Sequence, residues 1–214
     1  MRRILALVLA ALMLLSMAAC ASSTTATPAA TETTASTENA ETTETADTPA
    51  TGVEDGVLTV GMECAYAPYN WTQMDDSNGA VPIVNNPGSY ANGYDVMIAQ
   101  RICDTYGWKL EVQAIEWDGL IPALNAGTID AVIAGQSMTA GRMEQVDMAG
   151  PYFYASIVCV AKKDSEQAKA KGISELTGTC TAQSGTIWYD SCLPQIEGAE
   201  LQAPADNAPA MIMA

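Results

Sequence analysis

From residue 57 onward, short apolar runs alternate with helical-period segments, each bounded by turn or cap residues. The run VLTVGM at 57–62 predicts a strand, followed by an aromatic loop at 64–71. Residues 72–92 are crowded with Asn, Asp, Gly and Pro and read as a hairpin or a looped excursion. Val96, Ile98, Ala99, Ile102 and Cys103 recur at helical spacing over 94–106, and Gly107 ends that helix. A strand at 110–115, a helix at 119–126 and a strand at 130–134 follow. Further on, the pattern predicts an apolar strand at 155–161, a charged solvent-facing helix at 162–171 and a strand at 179–183. That last strand runs through Ser184-Gly185-Thr186 into a helix to about Cys192. Strands alternating with helices at this spacing imply βαβ units, a largely parallel sheet and an α/β fold. The chain ends in APAMIMA at 208–214, which resembles the opening of the helix at 121–126. Its arrest in mid-helix reads as a fragment or a truncated reading frame.

One stretch concentrates the candidate chemistry. Residues 117–152 read as helix, Gly127 stop, strand 130–134, polar turn Gly135–Ser137, Thr139 cap and a second helix bearing Arg142. A strand ending in small and hydroxyl residues at a helix start gathers backbone N–H donors and a planar guanidinium around one point. That combination suits a carboxylate. Outside this context Arg142 would be a solvated helix residue paired with Glu144 or Asp147.

The first 55 residues change the picture of where the protein works. Arg2 and Arg3 precede an apolar run of twelve at 4–15 and small residues up to Cys20. This is an export segment too short to span a bilayer, for which about 18–20 residues are needed. Residues 1–20 resemble a lipoprotein signal cleaved before a diacylated Cys20; the alternative is an ordinary signal peptide with an incidental cysteine. Residues 21–55 carry twelve Thr, several Glu and no Lys or Arg. With almost nothing apolar to bury, they are expected to form a disordered stalk.

The whole chain carries a formal net charge of −16, with 25 acidic residues against 9 basic ones. A nucleic-acid partner, which needs clustered Lys and Arg, is therefore not expected. No histidine is present, so the usual zinc and iron sites are poorly supported and no cofactor or metal is expected. Five cysteines follow Cys20, and Cys180 with Cys192 is the most plausible bridge among them.

Four blocks resemble the family 3 bacterial extracellular solute-binding proteins, which serve polar amino acid ABC importers. They are VGMECAYAPY at 60–69, GYDV at 93–96, the stretch 117–152 and QSGT at 183–186. The resemblance implies a periplasmic-binding-protein type II-like fold, with lobe one at 56–154 and a partial lobe two at 155–214. Arg142 looks like the clamp on the ligand α-carboxylate, Ser137 like its neighbouring backbone and hydroxyl donor, and Thr186 like the lobe-two donor. Glu63 stands where relatives often place an acid facing the ligand amine or side chain; otherwise it is a solvated loop carboxylate. Tyr66 and Tyr94 fall where relatives sandwich the ligand side chain, and Trp71 and Trp117 could wall the pocket. Gly135 replaces a hydroxyl residue of some relatives and keeps only backbone groups to offer. The aspartate that relatives use for the ligand ammonium would lie beyond Ala214.

The resemblance implies an extracytoplasmic, lipid-anchored or periplasmic receptor that closes on a free amino acid and is read by ABC permease subunits. Two alternatives remain at this point: a cyclohexadienyl dehydratase-like enzyme on the same fold with Glu63 as the acid, and a non-functional truncated receptor.

Overall fold

The computed structural model describes residues 53–214, all within one compact unit. The expected signal, Cys20 anchor and most of the stalk lie outside these residues. Strand β1 (Val57–Met62) is the centre of the molecule. Its residues Val60 and Met62 are fully buried, and the strand is covered on both sides, which explains why it reads as a continuous apolar run.

Strands β2 (Ala65–Tyr66), β3 (Asn70–Gln73), β4 (Val81–Pro82) and β5 (Tyr90–Asn92) form an antiparallel sheet in the order β2-β3-β5-β4. The polar excursion at 72–92 is thus a built sheet, returning the chain to Gly93. Helix α1 (Tyr94–Tyr106) packs Val96, Ala99 and Cys103 inward at spacings of three and four residues, and Gly107 closes it. Strand β6 (Lys109–Ala114) pairs in parallel along the whole of β1. A 3₁₀ turn at Trp117–Gly119 leads into α2 (Leu120–Asn125), which buries Leu120 completely. Strand β7 (Ala131–Val132) then pairs with the other side of β1, giving a parallel sheet of order β6-β1-β7.

After β7 the turn residues run to Thr139, whose hydroxyl accepts from the Arg142 backbone N–H and starts α3 (Ala140–Met143). Farther along, β8 (Thr177–Cys180) and β9 (Gly198–Leu201) form a parallel pair. Between them lie a π-helical turn at Trp188–Cys192 and a 3₁₀ turn at Leu193–Gln195. Helix α4 (Ala208–Met213), capped by Asn207, ends the chain. The main core is built on β1, β6 and α1, while Ala182, Leu193 and Ile196 make a small second cluster joined by Leu176, Trp188 and Met211.

Three sequence-based expectations are overturned. The apolar stretch 155–161 is not a strand: it pairs with no described strand, and Ile157, Val158 and Val160 are exposed. Strand propensity there finds no sheet edge to join, and propensity alone does not form a strand. The charged helix expected at 162–171 shrinks to a 3₁₀ turn at Gln167–Lys169. It has no apolar stripe to dock, and isolated short helices are marginal in water. The Cys180–Cys192 bridge is absent, since all five described cysteines are free thiols. The expected helix after Gly185 does run to Cys192, as a π-helical turn, but Cys180 packs against the second cluster without bridging Cys192.

Candidate functional site

A cavity forms where the loop after β1, the 3₁₀ turn before α2, the β7–α3 turn and the segment 183–188 meet. Its walls include Glu63, Tyr66, Trp117, Gly135, Ser137, Arg142 and Thr186. Seven of the eight residues singled out as ligand contacts therefore converge, from four separate stretches of chain. Tyr94 is the exception. It packs against Tyr152 and Phe153, its hydroxyl donates to the Tyr152 carbonyl, and it does not line the cavity. Trp71, on β3, is also outside it.

Arg142 is held from three directions. One guanidinium nitrogen, Nη1, donates to the Ser137 carbonyl at 2.7 Å; Nη2 donates to the Gly185 carbonyl at 3.2 Å. The guanidinium carbon also lies 5.4 Å from the centroid of the Trp117 ring, a cation–π distance. No salt bridge ties Arg142 to Glu144 or Asp147 among the described residues. Burial lowers its pKa from the ordinary arginine value, partly offset by the negative charge of Asp190. It is thus a desolvated cation whose partners are carbonyl oxygens, which an anion would outcompete.

The Gly185 carbonyl is a shared acceptor, taking the Trp117 indole N–H at 3.1 Å as well. Gly185 has φ +64°, and a Cβ there would run into the Asp118 carboxylate, so only glycine fits this turn unaltered. Trp117 therefore holds Arg142 and the Gly185 turn instead of presenting a bare face to a ligand. Thr186 directs its hydroxyl back to the Gln183 carbonyl at 2.7 Å, closing the local turn.

On the opposite wall, Glu63 is buried and accepts a hydrogen bond from Gln183 Nε2 at 2.8 Å. Burial pushes its carboxyl above the ordinary value of 4.5; the Gln183 bond pulls it down, and Glu116 and Asp118 push it up again. It is not a solvated loop carboxylate. Tyr66 stacks on Tyr69, ring centroids 4.8 Å apart, and tilts against Trp188 at 5.8 Å.

Gly135 lends no free N–H. Its amide donates to the Tyr152 hydroxyl at 2.9 Å, which in turn donates to Asp95 Oδ1 at 2.7 Å. Asp95 is wholly buried and accepts from Asn70 Nδ2 through its other oxygen, while Asn70 Oδ1 accepts from the Cys64 backbone N–H. One relay of polar groups thus runs behind the cavity from the β7–α3 turn to the loop after β1. Sequence reasoning assigned no role to Asp95, Tyr152, Gln183, Ile187 or Trp188. The first three stand inside the blocks already singled out, which was the available signal; Ile187 and Trp188 had only their nearness to Thr186.

The cavity measures about 20 Å³, enough for a single water molecule and far too little for an amino acid. Four contacts keep its walls together: Arg142 and Trp117 on Gly185, Gln183 on Glu63, and Ser184 on Asp118. Arg142, Trp117 and Glu63 thus find their partners on the opposite wall.

Comparison with known proteins accords with this geometry. The family model described as bacterial extracellular solute-binding proteins, family 3, matches residues 58–197. The chain belongs to this family. An L-cystine-binding protein, TcyA of Bacillus subtilis, is 29% identical over 154 residues, covering 70% of this chain and 52% of its own length. The arginine-binding extracellular protein ArtP of the same organism is 31% identical over 140 residues, 64% of this chain and 48% of its own. The chain thus spans about half the length of the curated relatives it matches.

Among solved structures, an ancestral amino acid-binding protein, described as a precursor of cyclohexadienyl dehydratase, superposes with a TM-score of 0.62 at 25% identity. It covers 75% of this chain and 66% of that one. A Streptococcus pneumoniae amino acid ABC transporter substrate-binding protein bound to L-arginine gives 0.63 at 27% identity, covering 75% of this chain and 62% of that one. These likenesses place the α/β arrangement in the type II periplasmic-binding class, of which the chain covers part. Both curated relatives are named for the amino acid they bind and not for a reaction. No helix among the described residues is long and apolar enough to cross a membrane.

Proposed function

We propose that this chain is the recognition part of an extracytoplasmic receptor for a free amino acid, which it presents to ABC permease subunits. The observation that carries the reading is Arg142. It is a desolvated guanidinium positioned by the Ser137 carbonyl and the Trp117 ring, and held at the cleft by a carbonyl acceptor that a ligand carboxylate can replace. Glu63 on the far wall and the rings of Tyr66 and Trp188 favour a ligand whose other end is cationic. Arginine, named for ArtP, fits both ends.

Binding then has a mechanical consequence. Because the cavity as it stands admits only a water, a ligand must enter an opened form in which the four cross-wall contacts are broken; on closure it takes the place of the Gly185 carbonyl on Arg142. Release of Arg142 from Gly185 offsets part of the gain, so affinity reports a difference and not a sum.

Calorimetric titration of the chain against a panel of amino acids tests this. Micromolar or tighter binding of a basic amino acid, weakened about 10- to 150-fold by Arg142→Ala, is expected from the loss of one charge-assisted bond. No binding of any amino acid by the wild-type chain refutes the reading. A second reading, dehydratase-like chemistry, draws on the buried Glu63 carboxyl, whose raised pKa suits a proton donor. Turnover of a cyclohexadienyl acid, lost in Glu63→Gln, would favour it. Lipid anchoring through Cys20 is part of the proposal, and labelled fatty acid incorporation abolished by Cys20→Ser is its test.

A further inference from the structure

Gln183 and Glu63 come from stretches 120 residues apart, Glu63 from the end of β1 and Gln183 from the extension of β8. Gln183 is 2% exposed and pairs by backbone with Ala205. Its amide nitrogen faces two acceptors, Glu63 Oε1 at 2.8 Å and the Asp206 carbonyl at 3.4 Å. With an acceptor on each side, the amide cannot be turned to point its oxygen at Glu63 without setting two oxygens against each other. It is therefore locked as a donor.

Glu63 forms no salt bridge among the described residues. Its second oxygen, Oε2, takes no hydrogen bond from them, yet no fully buried side-chain polar atom lacks a partner. Oε2 is therefore not sealed in the interior, and Glu63 lines the cavity. The acids acting on it are Glu116 and Asp118 from the turn before α2, with Tyr66 and Cys64 beside it; the cation on the same cavity wall, Arg142, is tied to the Ser137 and Gly185 carbonyls.

We propose that Gln183 is a positioning residue that sets the charge specificity of the cleft: its locked amide holds one oxygen of Glu63, leaving the other to meet a cationic donor on the ligand. The inference rests on the amino acid-binding reading. An ionised Glu63 is satisfied by the amide on one side and an ammonium or guanidinium on the other. A neutral ligand of the same shape leaves its charge without a partner in a buried site, since Arg142 is taken up by the ligand carboxylate. Without the amide, the one contact that pulls its pKa down is gone, so Glu63 keeps its proton to higher pH and the site distinguishes cation from neutral isostere less well.

Arginine and its neutral isostere citrulline provide the comparison. Calorimetry on the wild-type chain and on Gln183→Met is expected to show the arginine-over-citrulline preference falling at least about ten-fold, with citrulline itself changed less. An equal loss for both ligands would mean that Gln183 is merely structural, and would overturn the proposal. A ligand-free readout separates this from failure of the receptor reading. In the ¹³C spectrum of the wild-type chain, the Glu63 carboxyl (assigned with Glu63→Gln) is expected to titrate together with the Gln183 side-chain ¹⁵N resonance. Its midpoint should rise in Gln183→Met. If neither ligand binds the wild type, the receptor reading falls while this titration still decides the coupling. Independent titration of the two side chains in the wild type overturns it, even if Gln183→Met fails to fold.

Discussion

Removing one oxygen atom, in Tyr152→Phe, probes the relay behind the cavity most directly. The hydroxyl donates to a wholly buried Asp95 at 2.7 Å and accepts from Gly135 N–H at 2.9 Å. A hydrogen bond to a charged group contributes about 1.5–3 kcal/mol and a neutral one about 0.5–1.5 kcal/mol. Tyr152 is 37% exposed, so water partly replaces both partners, and the lower part of that range applies. The expected loss is about 2–3 kcal/mol at pH 7. Burial raises the Asp95 carboxyl above its ordinary value of 3.8, whereas the bonds from Tyr152 and Asn70 lower it. Deleting the hydroxyl must therefore raise it further. Below the wild-type Asp95 pKa both proteins carry a neutral carboxyl there, so the charged component of the loss disappears and the difference shrinks to about 1 kcal/mol. Urea unfolding of both chains, at pH 7 and in acid with equal m-values, measures this. A loss below about 0.5 kcal/mol at pH 7, or one independent of pH, would refute the reasoning.

Gly93→Ala should be worse than a cavity mutation, costing about 3 kcal/mol or more: φ is +128° and the new Cβ would collide with the Tyr69 carbonyl that caps α1 through Asp95 N–H. Thermal melting checks it, and a shift under 2 °C would count against it. In timed alkylation of the native chain, exposed Cys159 should react first. Cys64, 5% exposed and with its thiol pushed up to about 12, should react only after unfolding; equal rates would contradict the buried site. Glu63 supplies a pH test whose sign is fixed. Its folded pKa is raised, so the stability it contributes is present below 4.5 and is lost as pH rises through the folded value. The stability of Glu63→Gln relative to wild type should therefore increase over that interval, as read from urea midpoints at each pH; a decrease would mean that the burial of Glu63 is misjudged.

Much of the frame is local in origin and was legible in the chain. Val57–Met62 is apolar enough to be a central strand, Tyr94–Tyr106 carries its own buried stripe, and Thr139 caps the turn that bears Arg142. Such features arise between residues close in sequence, where spacing fixes which side chains share a face. The order of residues from 117 to 152 likewise foreshadowed a guanidinium beside a small-residue turn.

What the tertiary structure alone decided is who meets whom across the cleft. No local pattern says that Gln183 donates to Glu63, that the Gly185 carbonyl serves both Trp117 and Arg142, or that the Tyr152 hydroxyl accepts the Gly135 N–H. The stretch 155–161 makes the same point from the other side: it has strand-forming residues and forms no strand, because a strand requires a neighbour that sequence position does not supply. Periodicity records which face of an element is apolar. The partner of a buried polar atom is set by three-dimensional closure, where each unsatisfied donor or acceptor costs enough to select the arrangement that satisfies them all.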